Sequence, residues 1–129
     1  MPKLLSLLAP DELKQLDVVA FVGPVFNLGT AGGSALVVTA NTVTMSRTFH
    51  RLSATGTTVQ RSLRTINGGT EGDVLVLRKD ADSLGNIIID DAAGNIQSAG
   101  NFTLTSPKDL IAFLFDGTDW CELCRSNNA

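Results

Sequence analysis

Apolar and polar positions along this chain fall into short runs whose period changes once. Up to Leu16 the spacing is helical, with Leu7, Leu8, Leu13 and Leu16 close to one side. Ser6 or Ala9 leads in, Pro10 suits a first turn, and Asp11 and Glu12 favour the positive end of the helix dipole. The pattern therefore predicts a helix over 6–16. So short an amphipathic segment cannot hold itself together in water and must dock on its own domain, a sister subunit or a larger partner. From Val18 onward the period is that of strands. "DVVAFV", "SALVVTA", "TVTM", "FHRLSAT", "VLVL", "NIIID", "FTLT", "LIAFLF" and "WCELC" are short runs bounded by Gly, Asn, Asp, Ser or Pro.

This punctuation predicts an all-β domain over 18–129, a small antiparallel sandwich or jelly-roll-like barrel, with 1–17 as a short helical or extended N-terminal arm. "DAAGN" reads as a hairpin loop between Ile89 and Ile96, and Asp116-Gly117 as a tight turn between Phe115 and Trp120. No long repeat period stands out, which argues against a solenoid. Several strands are apolar on both faces: Leu110, Ala112 and Leu114 point one way, and Ile111, Phe113 and Phe115 the other. Two-sided burial needs a second layer on each side. In so small a domain, part of that cover is expected from another subunit. Phe113, Phe115 and Trp120 become candidates for the core or a subunit interface.

The 129 residues suffice for one domain with its own core. A net charge of −3, with the acids spread along the chain, gives no basic footprint, so no nucleic-acid partner is expected. The opening "MPKLLSLLAPDELK" holds too brief an apolar run for a signal peptide, and Pro10-Asp11-Glu12 stands where a cleavage site should be. No stretch reaches the roughly 20 apolar residues that span a bilayer. The expectation is a soluble protein made in a cytoplasm, with no membrane partner.

Candidate chemistry is thin. In "RTINGGTEGDVLVLRKD" the glycines precede a strand instead of following one, and no Lys-Ser/Thr of a P-loop is present. Glu71 and Asp73 would repel a phosphate. Gly68, Gly69 and Gly72 read as a structural corner that lets Val74 to Leu77 enter the core at once. "GTAGGS" lacks a lysine too. Cys121 and Cys124 form a CxxC in a strand-like run, where positions three apart face opposite sides about 10 Å apart. A disulfide needs Cα atoms within about 7 Å, and no second CxxC completes a zinc site. Free, mostly buried thiols are expected. His50 shares a strand face with Leu52 and Ala54 and reads as a packing residue. Asp90, Asp91, Asp80 and Asp82 lack EF-hand spacing and read as loop and turn acids. No enzyme, cofactor or metal site is expected.

"SRTFHRLSATG", "LRTINGGTEGDVLVLR" and "GNFTLTSPKDLIAFLFDGTDWCELCRSNN" resemble, in that order, a module of tailed-phage virion proteins found in tail-fibre and tailspike ends and in capsid decoration proteins. The match covers about the last 85 residues. It departs at Cys124, where the family has Ser, and at Cys121, where a larger apolar residue is common. The resemblance implies a trimeric β-structure in a virion. The chain opens on Met with only about 17 residues before the β-region, which favours a capsid decoration (cement) protein over a fibre needing a shaft. The expected partners are two further copies and the major capsid protein, on the virion's capsid surface. Leu4, Leu5, Leu7 and Leu8 are the candidate capsid-contact arm. The alternative is a small tail-fibre or tailspike component binding a host glycan or receptor; a glycan-processing tailspike enzyme would need paired carboxylates in a groove.

Overall fold

Strict alternation builds the largest sheet. In Val74–Lys79, Leu75, Leu77 and Lys79 turn inward while Val74, Val76 and Arg78 turn outward. The structure, a computed structural model, describes residues 34–54 and 58–128. The arm over 1–17, with Leu4, Leu5, Leu7 and Leu8, and the run "DVVAFV" lie outside the described residues.

Among the described residues the chain is all-β. Its strands are β1 (Leu36–Val37), β2 (Thr42–Thr44), β3 (Phe49–Ser53), β4 (Arg61–Leu63), β5 (Thr65–Asn67), β6 (Val74–Lys79), β7 (Ile87–Ile89), β8 (Ile96–Gln97), β9 (Phe102–Leu104), β10 (Leu110–Phe115) and β11 (Trp120–Ser126). They form a six-stranded sheet in the order β1-β3-β6-β10-β11-β8, a pair β2-β5, and a three-stranded sheet β4-β7-β9.

The architecture differs from the expected antiparallel sandwich or jelly-roll barrel. β3 pairs with β6, β2 with β5 and β4 with β7, all in parallel. Phe49 lies beside Val76, Thr42 beside Thr65 and Arg61 beside Ile87, offsets of 27, 23 and 26 residues. The chain visits the three sheets in turn and returns one strand further along, a solenoid-like winding of stacked sheets. Antiparallel strands close it, with β10 between β6 and β11 and β9 on β7. Unequal offsets leave no fixed period for the sequence to display, which is why a solenoid was not expected.

The interior is filled from all three sheets. Leu52, Leu75, Leu77, Ile111, Phe113 and Trp120 come from the large sheet, Val43 and Ile66 from the pair, and Leu63, Ile87, Ile89, Phe102 and Leu104 from the third. Each such side chain contributes roughly 1.5–3 kcal/mol in transfer terms when fully buried. Phe113 and Trp120 are fully buried within one chain, and Phe115 packs against that core, so all three serve the core of the chain itself.

The two expected links fare differently. Asp116-Gly117 does turn β10 back into β11: Asp116 N–H donates to Asp119 O, and Asp116 Oδ1 accepts from the N–H groups of Thr118 and Asp119. "DAAGN" is a tight turn but not a hairpin, because β7 pairs with β4 and β9 whereas β8 pairs with β11. It carries the chain from one sheet to another.

Candidate interaction surface

The outer face of the large sheet is the most unusual surface of the described residues. By register, Val37 on β1, Phe49 and Arg51 on β3, Val74, Val76 and Arg78 on β6, and Leu110, Ala112 and Leu114 on β10 share it. On β10 the inward Ile111 and Phe113 are fully buried, while Leu110 and Leu114 are 37% and 38% exposed. The strand is apolar on both faces, as expected, yet the described chain covers only one. Antiparallel sheets with one wet face normally alternate with polar residues.

A β-bulge shapes the margin of this face. Ala112 pairs with Cys124 and Phe113 with Glu122, so Leu123 is an extra residue on β11. Cys121, opposite Leu114, and Cys124, opposite Ala112, consequently lie on the same outer side. The expectation that they face opposite ways fails because it assumed an unbroken pleat. Both thiols are free, but Cys124 is exposed and Cys121 half-buried, so "mostly buried" holds for neither. The same bulge brings Glu122 and Arg125 together on the inner side, 2.6 Å apart, with Arg125 stacked over Phe102 at 4.9 Å. Glu122 is held below its usual range by the Arg125 hydrogen bond.

Arg78 stands out among the apolar neighbours. Its Nε is buried without a hydrogen-bond partner, and its guanidinium lies 5.9 Å from the Phe49 ring centroid. A cation over a ring gains modestly, about 0.5–1 kcal/mol when exposed, which does not replace a missing acceptor. Among the described residues no carboxylate pairs with it. Arg51, beside it in register, is paired with Asp80 at 3.1 Å.

The glycine corner closes one end of the sheet. Gly68 and Gly72 adopt φ of 93° and 92°, the left-handed region that disfavours other residues. Gly72 N–H donates to Phe115 O and Phe115 N–H to Asp73 O, so the corner is stitched to β10. Gly69 has a different reason. Its φ is not positive; a Cβ there would stand 2.6 Å from Trp120 Cζ2 and 3.0 Å from the Phe115 ring. Gly117 takes φ of 100° in the β10–β11 turn.

Several other titratable groups are tied into the fold. His50 is buried and its Nε2 accepts from Ser46 N–H at 3.0 Å; burial first, then the Arg47 charge, lowers its pKa. Asp90 pairs with Arg64, and Asp91 accepts from Ser98 N–H. Cys121 Sγ lies 3.7 Å from Asp116 Oδ2, and burial together with that carboxylate pushes the thiol up. No group of three or more His, Cys, Asp or Glu side chains is placed to hold a metal ion among the described residues. No helix among them is long and apolar enough to cross a membrane.

Two structural residues carried no signal in the sequence reading. Asn95 uses both ends of its amide on Ile66, accepting from its N–H and donating to its carbonyl, each at 2.8 Å, in place of a neighbouring strand. Asp109 is fully buried and accepts from the N–H groups of Thr105, Ser106 and Asn128 and from the Thr105 hydroxyl. Burial opposes its charge, but these donors outweigh burial and hold the carboxyl below its ordinary value. The turn chemistry of "TSPKD" was the available clue to Asp109.

Comparison with protein families, curated proteins and solved structures finds no match to this chain.

Proposed function

We propose that this protein is a phage virion structural protein, a trimeric capsid decoration protein that binds the outer capsid surface and stabilises the shell, with the major capsid protein as its partner. One observation carries the reading: a sheet face with Val74, Val76, Leu110, Ala112 and Leu114 that the described chain leaves without a covering layer. Apolar faces of that kind mark surfaces made for other protein. The resemblance of three segments, in order, to a tailed-phage virion module supplies the context. Such a protein would act by burying surface across subunit boundaries, with no chemistry of its own.

The solenoid-like winding favours a second reading, a small tail-fibre or tailspike component binding a host surface glycan or receptor, because wound coils extend naturally along one axis. The deciding experiment is co-sedimentation with undecorated capsids, using the full chain and a variant lacking residues 2–16. The full chain should sediment with shells; the truncated chain should stay soluble, folded and oligomeric but remain in the supernatant. Full-occupancy binding of the truncated protein would show that Leu4, Leu5, Leu7 and Leu8 are not the anchor. Failure of the full chain to bind any shell would remove the capsid reading.

A further inference from the structure

We infer that the outer face of the large sheet is the contact between copies of this chain, and that Arg78 of one copy pairs there with Asp82 of the next. The inference rests on the oligomer proposed above and names the surface and the charges that would build it. Four observations converge on one end of the sheet. Arg78 has a buried Nε without an acceptor, in a strand whose outer side is otherwise Val74 and Val76. Leu110, its cross-strand neighbour, is 37% exposed. Asp82 follows β6 by three positions, is exposed, and is bound by no described residue. Leu84, two residues on, is 63% exposed, the most of any large apolar side chain described.

A ring of copies is built from heterologous contacts, in which two different patches of the same chain meet. When the rotation axis runs along the strands, the two patches must lie at the same height. Arg78 with Leu110, and Asp82 with Leu84, both lie at the end where β6 finishes and β10 begins. Each patch offers one apolar side chain and one charge, of opposite sign. The neighbour's carboxylate would neutralise the Arg78 guanidinium, which no described carboxylate pairs, and the two leucines would exclude water from the pair. Arg51 is no rival for Asp82, since it is paired with Asp80.

The test is the solution mass by light scattering of the full chain and of Arg78→Glu, Asp82→Arg and the double variant, with circular dichroism as a check on folding. Wild type should run at the mass of three chains, each single charge reversal at the mass of one, and the double variant should recover the trimer. Leu84→Asp, at an exposed loop position with little effect on folding, should also give single chains. If the single variants and Leu84→Asp all keep the trimer mass, the contact lies elsewhere and the inference fails while the oligomer stands. A wild-type chain that runs as a monomer removes the inference and the trimer together, and leaves shell binding to be decided by co-sedimentation.

Discussion

Replacing Gly69 separates two physical accounts of one glycine. A Cβ at this position would stand 2.6 Å from Trp120 Cζ2, closer than real Cβ contacts occur. Trp120 cannot easily retreat: it is fully buried, and its Nε1 donates to Ile66 O at 3.1 Å. Phe115 crowds the other side, its ring centroid 4.8 Å from that of Trp120. Overpacking a filled core costs about 1–3 kcal/mol, and Gly69→Ala should fall in that range, with Gly69→Val beyond it. For a domain of this size the melting temperature moves roughly 3–5 °C per kcal/mol, so a loss of several degrees is expected. The assay is thermal unfolding of wild type, Gly69→Ala, Trp120→Phe and the double variant as a cycle. Trp120→Phe removes the ring atoms that a new methyl would strike, so the alanine should be less damaging in that background. An equal loss in both backgrounds would refute the steric account and return the cause to the backbone.

Two further outcomes are expected. Asp109→Asn should lower stability at neutral pH by about 1–3 kcal/mol, since it weakens acceptance from N–H groups that are buried with it. Because the folded carboxyl titrates below its ordinary value of 3.8, its contribution is complete above that value and declines as pH falls through the folded pKa. Urea midpoints of wild type and variant should therefore converge below about pH 4, and a gap that persists unchanged at pH 2 would contradict the assignment. A thiol reagent at mildly alkaline pH should modify Cys124 quickly and Cys121 slowly, as burial and the Asp116 carboxylate hold the Cys121 thiol up. Equal rates, read from single Cys→Ala variants, would count against the placement of Asp116.

The sequence announced what short-range physics controls. The short apolar runs "VLVL" and "LIAFLF", bounded by turn residues, identified β6 and β10, the Asp116-Gly117 turn fell where β10 meets β11, and Gly68 and Gly72 mark a left-handed corner. Pairing was not legible, because a parallel partner 23 to 27 residues away leaves no local mark. The bulge at Leu123 was equally hidden. One unpaired residue reversed the relative facing of Cys121 and Cys124 and of Glu122 and Arg125, and no residue type in "WCELCRS" requires it. Gly69 was recognised as necessary but for the wrong cause, since only the fold brings Trp120 onto it. Of the interaction surface, the sequence disclosed that both faces of β10 need cover. It could not disclose that Arg78, Leu110, Asp82 and Leu84 gather at one end, which depends on the antiparallel pairing of β6 with β10.

How much such a face can do alone decides what kind of assembly it supports. Val37, Leu110 and Leu114 retain 44%, 37% and 38% of their exposure, so burying the remainder on one copy yields roughly 2–4 kcal/mol at 1.5–3 kcal/mol per full side chain. Immobilising a second copy costs an estimated 4–15 kcal/mol. Leu84 on the facing patch, 63% exposed, adds roughly 1–2 kcal/mol, so one contact at best sits near balance. A closed ring changes the account, because three copies form three contacts while losing the freedom of only two chains. The third contact then closes at high effective concentration and adds its burial with little further entropic cost. An apolar face too weak for a lasting open pair is thus adequate for a closed trimer, and an Arg78–Asp82 pair would fix its register more than its strength.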